Sequence, residues 1–298
     1  MTSACGFLVL DKPAGPTSHD CVALARRRLG VRRIGHGGTL DPAVTGVLPL
    51  AVGPATRLLP YLDGDKEYEG TIQLGVRTVS DDLEGEVLER RPWPSLERSG
   101  LEARLQSFLG PQRQRPPQVS AVHVDGERAH ARVRRGEALE LPERPVTIEG
   151  LRLTHWDPEA GVLGLWLRCS AGTYVRSLAR DLGERLGCGG ALASLRRTHA
   201  LGFSLDQSLH LEQLGPGTPL QDPLVPLGHL PRRRLDDHEW LAWTRGQQLP
   251  LGPSSLAAAD DPGGEAVVVL RPDGSLAGMA RRSDDGLLQP RLVFDASG

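Results

Sequence analysis

Residues Gly6 to Leu10 form a continuous apolar run that predicts a short buried strand, stopped by Lys12-Pro13 and Gly15-Pro16. Thr17 or Ser18 is placed to cap a helix through Val22, Leu24, Ala25 and Leu29, which Gly30 ends. A glycine-rich turn, Gly35-His36-Gly37-Gly38, leads through Thr39-Leu40-Asp41-Pro42 to a predicted strand over Val47–Val52. From Tyr68 to Leu74 polarity alternates: Tyr68, Gly70, Ile72 and Leu74 share one face, and Glu69, Thr71 and Gln73 the other, the pattern of a half-buried strand. Ser95–Phe108 predicts a helix, and Val146–Leu153 and Val162–Cys169 predict strands. The second of these strands is apolar almost throughout, which places it inside a sheet covered on both faces. The clearest helix spans Thr173–Leu186, where Val175, Leu178, Ala179, Leu182 and Leu186 recur at helical spacing and Gly187 stops the run. Ala191–Arg197 reads as a second helical piece, followed by a short strand near Leu201–Leu205.

Two stretches break this regularity. The segment Gly110–Pro142 is polar, basic and marked by prolines, and reads as an excursion from the body of the fold. Prolines and glycines cluster between Gly215 and Pro231, which puts a domain boundary there. Beyond it, Val267–Leu270, Leu276–Ala280 and Leu292–Phe294 are separated by turns at Pro272-Asp273-Gly274 and Asp284-Asp285-Gly286, the signature of a small β-barrel.

Composition narrows the class. A chain of 298 residues with 39% hydrophobic and 24% charged residues suits two domains, or one large domain with an appendage, and excludes disordered, collagen-like and coiled-coil chains. No apolar run approaches the ~20 residues of a membrane span, and the N-terminus lacks a secretory leader, so the cytosol is the expected location. Cys5, Cys21, Cys169 and Cys188 show no C-x-x-C spacing and no Cys/His cluster, which points to reduced thiols rather than zinc or disulfides. The net charge of −2 hides clustering. Arg26, Arg27, Arg28, Arg32 and Arg33 lie between Cys21 and Gly35 with no acid; Arg113, Arg115, Arg128, Arg132, Arg134 and Arg135 lie between Gln112 and Gly136 against Asp125 and Glu127; Asp63–Glu89 is acidic. Local basic patches suit a polyanion, although charge alone favours the plainer reading of solvated helix faces.

Candidate chemistry concentrates at a few positions. Gly35, Gly37 and Gly38 let the backbone approach a ligand, and Pro42 holds Asp41 extended on a stiff loop, as a nucleophilic carboxylate requires; an Asp-Pro turn without chemistry has the same spacing. The loop is neither a Walker A motif nor G-x-G-x-x-G, so a nucleotide cofactor is not supported. Arg176 falls in the first turn of the best helix, where a cation opposes the helix dipole. Unless it is simply exposed, a buried carboxylate is its simplest partner, and Tyr174 could face the same cavity. Tyr68 is either a core tyrosine or a platform for a stacked base. Lysine occurs only at Lys12 and Lys66, within Asp11-Lys12-Pro13 and Asp65-Lys66-Glu67-Tyr68.

Together these segments resemble a known family. Gly35–Pro49 (GHGGTLDPAVTGVLP) closely resembles the signature of the TruB-type tRNA pseudouridine-55 synthases, as do Asp11-Lys12-Pro13, the strand Lys66–Tyr68, Gly172-Thr173-Tyr174-Val175-Arg176 and Leu195-Arg196-Arg197, all in the family's order. The resemblance implies isomerisation of a uridine in the tRNA T-loop: the N1–C1′ bond breaks, the uracil turns, and C5 bonds to C1′, without cofactor or metal. Asp41 is then the essential carboxylate, acting at C6, at C1′ or on a ribose proton, three paths that the residues leave open. Arg176 pairs with it and keeps it ionised; Tyr68 stacks on the uracil near C5; Tyr174 and Leu195 line the pocket; His36 holds the splayed loop. Lys12, Arg132 and Arg135 fall among the substrate contacts. The buried base has to be flipped out, and Gly110–Pro142 resembles the family's RNA-gripping insertion, which favours a stand-alone monomeric enzyme with no obligatory protein partner and no membrane. Gly37, where the family usually carries threonine, and His123 and His130, at positions of a frequent lysine and tyrosine, depart from the pattern; the first is expected to loosen the loop.

The expected architecture is therefore α+β: a mixed, mainly antiparallel sheet with flanking helices over residues 1–214, with the insertion at about 110–142, a linker over 215–231 and a PUA-like barrel over 232–298. The rival reading is a tRNA-binding, folding-assisting protein with secondary or lost catalysis, and Asp41→Asn separates the two. A glycosidase acting on free nucleosides would have no need of the basic insertion.

Overall fold

In a computed structural model, residues 4–120, 123–124, 127–128, 141–252 and 266–294 are described. In chain order the elements are β1 (Gly6–Lys12), α1 (Ser18–Leu29), β2 (Ile34–His36), β3 (Thr45–Val52), β4 (Lys66–Leu74), β5 (Val76–Thr78), β6 (Val87–Arg90), α2 (Arg98–Gln106), β7 (Gly110–Gln114), β8 (His123–Val124), β9 (Glu127–Arg128), β10 (Arg144–Asp157), β11 (Val162–Cys169), α3 (Val175–Arg185), β12 (Gly190–Ala200), β13 (Phe203–Ser204), β14 (Arg232–Arg234), α4 (Asp237–Thr244), β15 (Leu249–Pro250), β16 (Ala266–Leu270), β17 (Leu276–Arg282) and β18 (Leu287–Val293). The chain divides into two compact units, one from the described residues of Met1–Asp41, Val47–Asp63 and Leu201–Gly298, the other from those of Pro42–Gly46 and Gly64–Ala200.

In the first unit, β3 has β1 and β2 as neighbours. Helix α1 starts at the expected place: Thr17 accepts from the Asp20 amide and the Asp20 carboxylate accepts from the Thr17 amide, a reciprocal cap, and Gly30 closes the helix. Arg26, Arg27 and Arg28 occupy the last turn, where the helix dipole favours cations. The proline- and glycine-rich stretch after Gly215 runs along β1: Gln221 exchanges both backbone bonds with Phe7, at 2.9 and 2.7 Å, and Leu227 is fully buried. The C-terminal strands form a five-stranded sheet in the order β14-β16-β17-β18-β15, parallel only between β14 and β16. Its core centres on Trp243 of α4, which is fully buried and donates its indole N–H to Ala277 O at 3.0 Å.

In the second unit the strands run β12-β4-β11-β10-β7, each pair antiparallel, and Thr45-Gly46 at the start of β3 lies parallel to Arg196-Arg197 of β12. The mixed, mainly antiparallel sheet is the expected one. β11 lies between β4 and β10, as its apolar run predicts. One core holds Tyr68, Ile72 and Leu74 of β4, Leu163, Leu165 and Leu167 of β11, and Val175, Leu178, Ala179 and Leu182 of α3.

Two expectations are corrected. Ala191–Arg197 is not helical but lies within strand β12, because backbone pairing with the full length of β4 outweighs a weak local pattern. Gly110–Gln114 is not part of an excursion: it is edge strand β7, paired with Arg144–Ile148, so the chain leaves the sheet only after Gln114.

Candidate active site

The loop carrying Asp41 is anchored from α1. Ser18, fully buried, accepts from the Leu40 amide at 2.9 Å and donates to the Leu40 carbonyl at 3.2 Å. Asp41, the next residue, is half-exposed between β2 and β3. His36 closes β2, and its ring meets that of His19 edge-on at 5.3 Å between centroids. At Gly37 a side chain would strike Leu201: a Cβ there would lie 2.0 Å from Leu201 Cδ1. Leu201 itself adopts a left-handed φ of 57° and is 8% exposed. The missing threonine methyl at Gly37 is thus replaced by a leucine side chain, and the loop is filled rather than loosened. Lys12 is fully buried and its ammonium donates to Pro13 O at 2.8 Å.

Past Asp41 the chain enters the second unit. Gly46 has φ 105° and sits so close to β12 that a Cβ would lie 2.1 Å from Arg197 O, so only glycine fits. Arg197 is fully buried, lies opposite Tyr68 across the β12–β4 ladder and hydrogen-bonds the Tyr68 phenol. Burial disfavours the charge of Arg197 and the phenol restores part of it; burial, with Arg197 adding, also holds the Lys66 ammonium below its ordinary range. Tyr68 is 6% exposed, so most of its ring belongs to the core. Leu195 packs partly against that core, opposite Gly70.

Arg176 is 8% exposed despite its charge. Its Nη1 donates to Ser80 O at 3.1 Å and to Val119 O at 3.0 Å, and lies 3.5 Å from Asp82 Oδ2. Asp82, partly exposed, is thus one carboxylate beside Arg176. The other oxygen of Asp82 organises its own turn, accepting from Ser80 Oγ at 2.5 Å and from the amides of Glu84 and Gly85 at 3.2 Å each. Tyr174 caps α3 without a side-chain bond of its own at the cap; Gln114 supplies the pairing, accepting from the Tyr174 amide at 2.8 Å and donating to its carbonyl at 3.0 Å.

Sequence reasoning named Ser18 only as a possible helix cap and did not single out Ser80 or Asp82. The pattern Ser80-Asp81-Asp82 before Gly85 signals a carboxylate-centred turn, but nothing local says that an arginine from α3 lies across it. Arg132 and Arg135 lie outside the described residues. A groove of about 890 Å3 on the second unit is bordered by Arg77, Arg113, Arg115, Asp81 and Arg180, but not by Tyr68 or Arg176.

The chain is similar to several known proteins. The described chain aligns over 97% of its length, with TM-score 0.76 and 26% identity, with 85% of a chain in a solved Cbf5–Nop10–Gar1 complex, and over 98%, with the same TM-score and 24% identity, with 86% of a chain in an H/ACA RNP bound to a substrate RNA containing 2′-deoxyuridine. The fold is of the pseudouridine synthase class. Residues 26–175 match the N-terminal domain of the TruB family pseudouridylate synthases and residues 176–218 the tRNA pseudouridylate synthase B C-terminal domain; the chain belongs to the TruB family. It is 62% identical over 295 residues, 98% of each chain, to a tRNA pseudouridine synthase B of Parasynechococcus marenigrum (strain WH8102), and 57% identical over the whole of both chains to one of Synechococcus sp. (strain WH7803).

Proposed function

We propose that the protein isomerises uridine to pseudouridine in tRNA, at position 55 of the T-loop, and that it does so in the cytoplasm as a monomer. The observation that carries this reading is the full-length identity of 62% to a tRNA pseudouridine synthase B. In this reading Asp41 is the carboxylate that attacks or assists at the ribose or base, and Arg176 pairs with it. Burial of Arg176 supports a role at the site, because a guanidinium withdrawn from water holds a carboxylate far more strongly than an exposed one. Tyr68 is the group beside C5. Its hydrogen bond from Arg197 supports this role, since a guanidinium beside the phenol stabilises the phenolate, the form that can take the C5 proton. That proton leaves C5 as the C5–C1′ bond forms, and N1, freed from C1′, takes one up, so the reaction is balanced without a co-reactant. Tyr174 and Leu195 line the pocket and His36 supports the opened loop. Arg132 and Arg135, on the segment after Gln114, meet RNA phosphates, and the C-terminal sheet, read as PUA-like, adds RNA contact. Lys12 acts through the turn it holds.

The test is mass spectrometry of an unmodified tRNA transcript incubated with the purified protein. A single pseudouridine at position 55, absent with Asp41→Asn, is the expected result. No pseudouridine with the wild-type protein removes the proposal, and retained tRNA binding without product would favour a folding-assisting role.

A further inference from the structure

The turn between β5 and β6 is held more firmly than a surface turn needs. Asp81 adopts φ 62°, a left-handed conformation that a non-glycine residue occupies at a cost. Its carboxylate is 14% exposed and receives Arg180 Nη1 at 2.8 Å, and its carbonyl accepts from the Leu192 amide at 3.0 Å. The residues on either side of it, Ser80 and Asp82, are the two that face Arg176 from this turn. Arg180 lies one helical turn after Arg176 on α3 and also reaches the segment after β7: its Nη2 donates to Arg115 O at 2.9 Å, and Ser177 Oγ donates to the same carbonyl at 2.8 Å. Arg176 meets that segment at Val119 O. Two arginines one turn apart therefore grip the same two pieces of chain, the Ser80–Asp82 turn and the Arg115–Val119 stem of the basic segment.

We infer that Asp81 and Arg180 form a clamp that sets the orientation of Arg176 and ties it to the stem of the basic segment, which makes both of them positioning residues for the isomerisation. The inference rests on the role given to Arg176 above. Once Asp81 lets go, the turn relaxes out of the left-handed region and carries the Ser80 carbonyl and the Asp82 carboxylate away from Arg176. Arg180 keeps Asp181 at 2.8 Å, so it stays paired but no longer holds the turn. Burial raises the Asp81 carboxyl to about 6 against the opposing pull of Arg180 and Arg176, while the acids around Arg180 raise it despite its own burial.

The test uses the full chain and tRNA labelled with tritium at uridine C5, whose release reports turnover. Asp81→Asn, Asp81→Gly, Arg180→Gln and the Asp81→Asn/Arg180→Gln double variant are compared. Each is expected to lose between about 10- and 100-fold in kcat, the effect of misplacing a site group by about an ångström, with KM within about twofold and the double variant no slower than the slower single one. The glycine variant decides between backbone and carboxylate, because it adopts the left-handed conformation freely but cannot bind Arg180. Turnover equal to wild type in either Asp81→Gly or Arg180→Gln overturns the clamp. So do additive losses in the double variant, or kcat losses that only follow a fall in melting temperature. A wild-type protein that releases no tritium and forms no pseudouridine instead refutes the functional reading, and the clamp with it.

Discussion

Thr17 and Ser18 are neighbours with different tasks, and replacing each by alanine separates them. Thr17 accepts from the Asp20 amide at 3.1 Å at the exposed start of α1, so Thr17→Ala removes a cap worth about 1 kcal/mol. Ser18→Ala removes the group that both the amide and the carbonyl of buried Leu40 use, and a buried donor left unmet costs about 1–3 kcal/mol. At about 2–4 °C per kcal/mol for a protein of this size, both variants melt a few degrees early. They part in catalysis. Leu40 precedes Asp41, so Ser18→Ala frees the stem of the carboxylate loop and is expected to lower kcat for tRNA about tenfold or more, whereas Thr17→Ala leaves kcat unchanged. Calorimetric melting and single-turnover pseudouridine formation read the two effects separately. Equal kcat in both variants, or a Ser18→Ala protein that melts like wild type, would refute the idea that Ser18 pins the loop.

Gly37→Thr, which restores the residue usual in the family, is expected to destabilise the protein by about 1–3 kcal/mol through overlap with Leu201. Adding Leu201→Gly, which vacates the space and suits the left-handed φ, should recover much of the loss in denaturant melts; simple additivity of the two changes would refute the fit. For Asp81 the sign follows from a carboxyl raised from 3.8 to about 6 by burial. Between these pH values the folded protein keeps a proton that the unfolded chain releases, so this residue's contribution to stability falls as pH rises through the window and is level above it. The unfolding free energy of wild type minus that of Asp81→Asn should decline over that range, and a rise would show that the pairing outweighs the burial. Replacing Arg132, Arg134 and Arg135 by glutamine should weaken tRNA binding and flatten its salt dependence by about one unit for each phosphate left unneutralised; an unchanged slope removes these residues from the interface.

Much of the molecule is legible in the chain because the determining interactions are short in sequence. The cap formed by Thr17 and Asp20, the alternation along Tyr68–Leu74, the stripe of Val175, Leu178, Ala179 and Leu182, and the turns at Gly274 and Gly286 each need only neighbouring residues. The run Gly35–Pro49 names the family as a motif. The dipole argument at Arg176 asks for a carboxylate partner, and no local pattern points to Asp82, which lies 3.5 Å from it. Arg176 meets the Ser80 carbonyl across 96 positions, Ser18 meets Leu40 across 22, and Arg180 meets Asp81 across 99. Such pairs exist only once the sheet has brought distant segments together, and no local pattern encodes them. The same holds for Ala191–Arg197, whose weak helical pattern yields to β4, and for Gly110–Gln114, which becomes an edge strand because Arg144–Ile148 offers it a partner. Local chemistry determines which elements form and which motif marks a candidate carboxylate; long-range backbone pairing decides which distant groups meet, because a hydrogen bond or ion pair depends on distance in space and not along the chain.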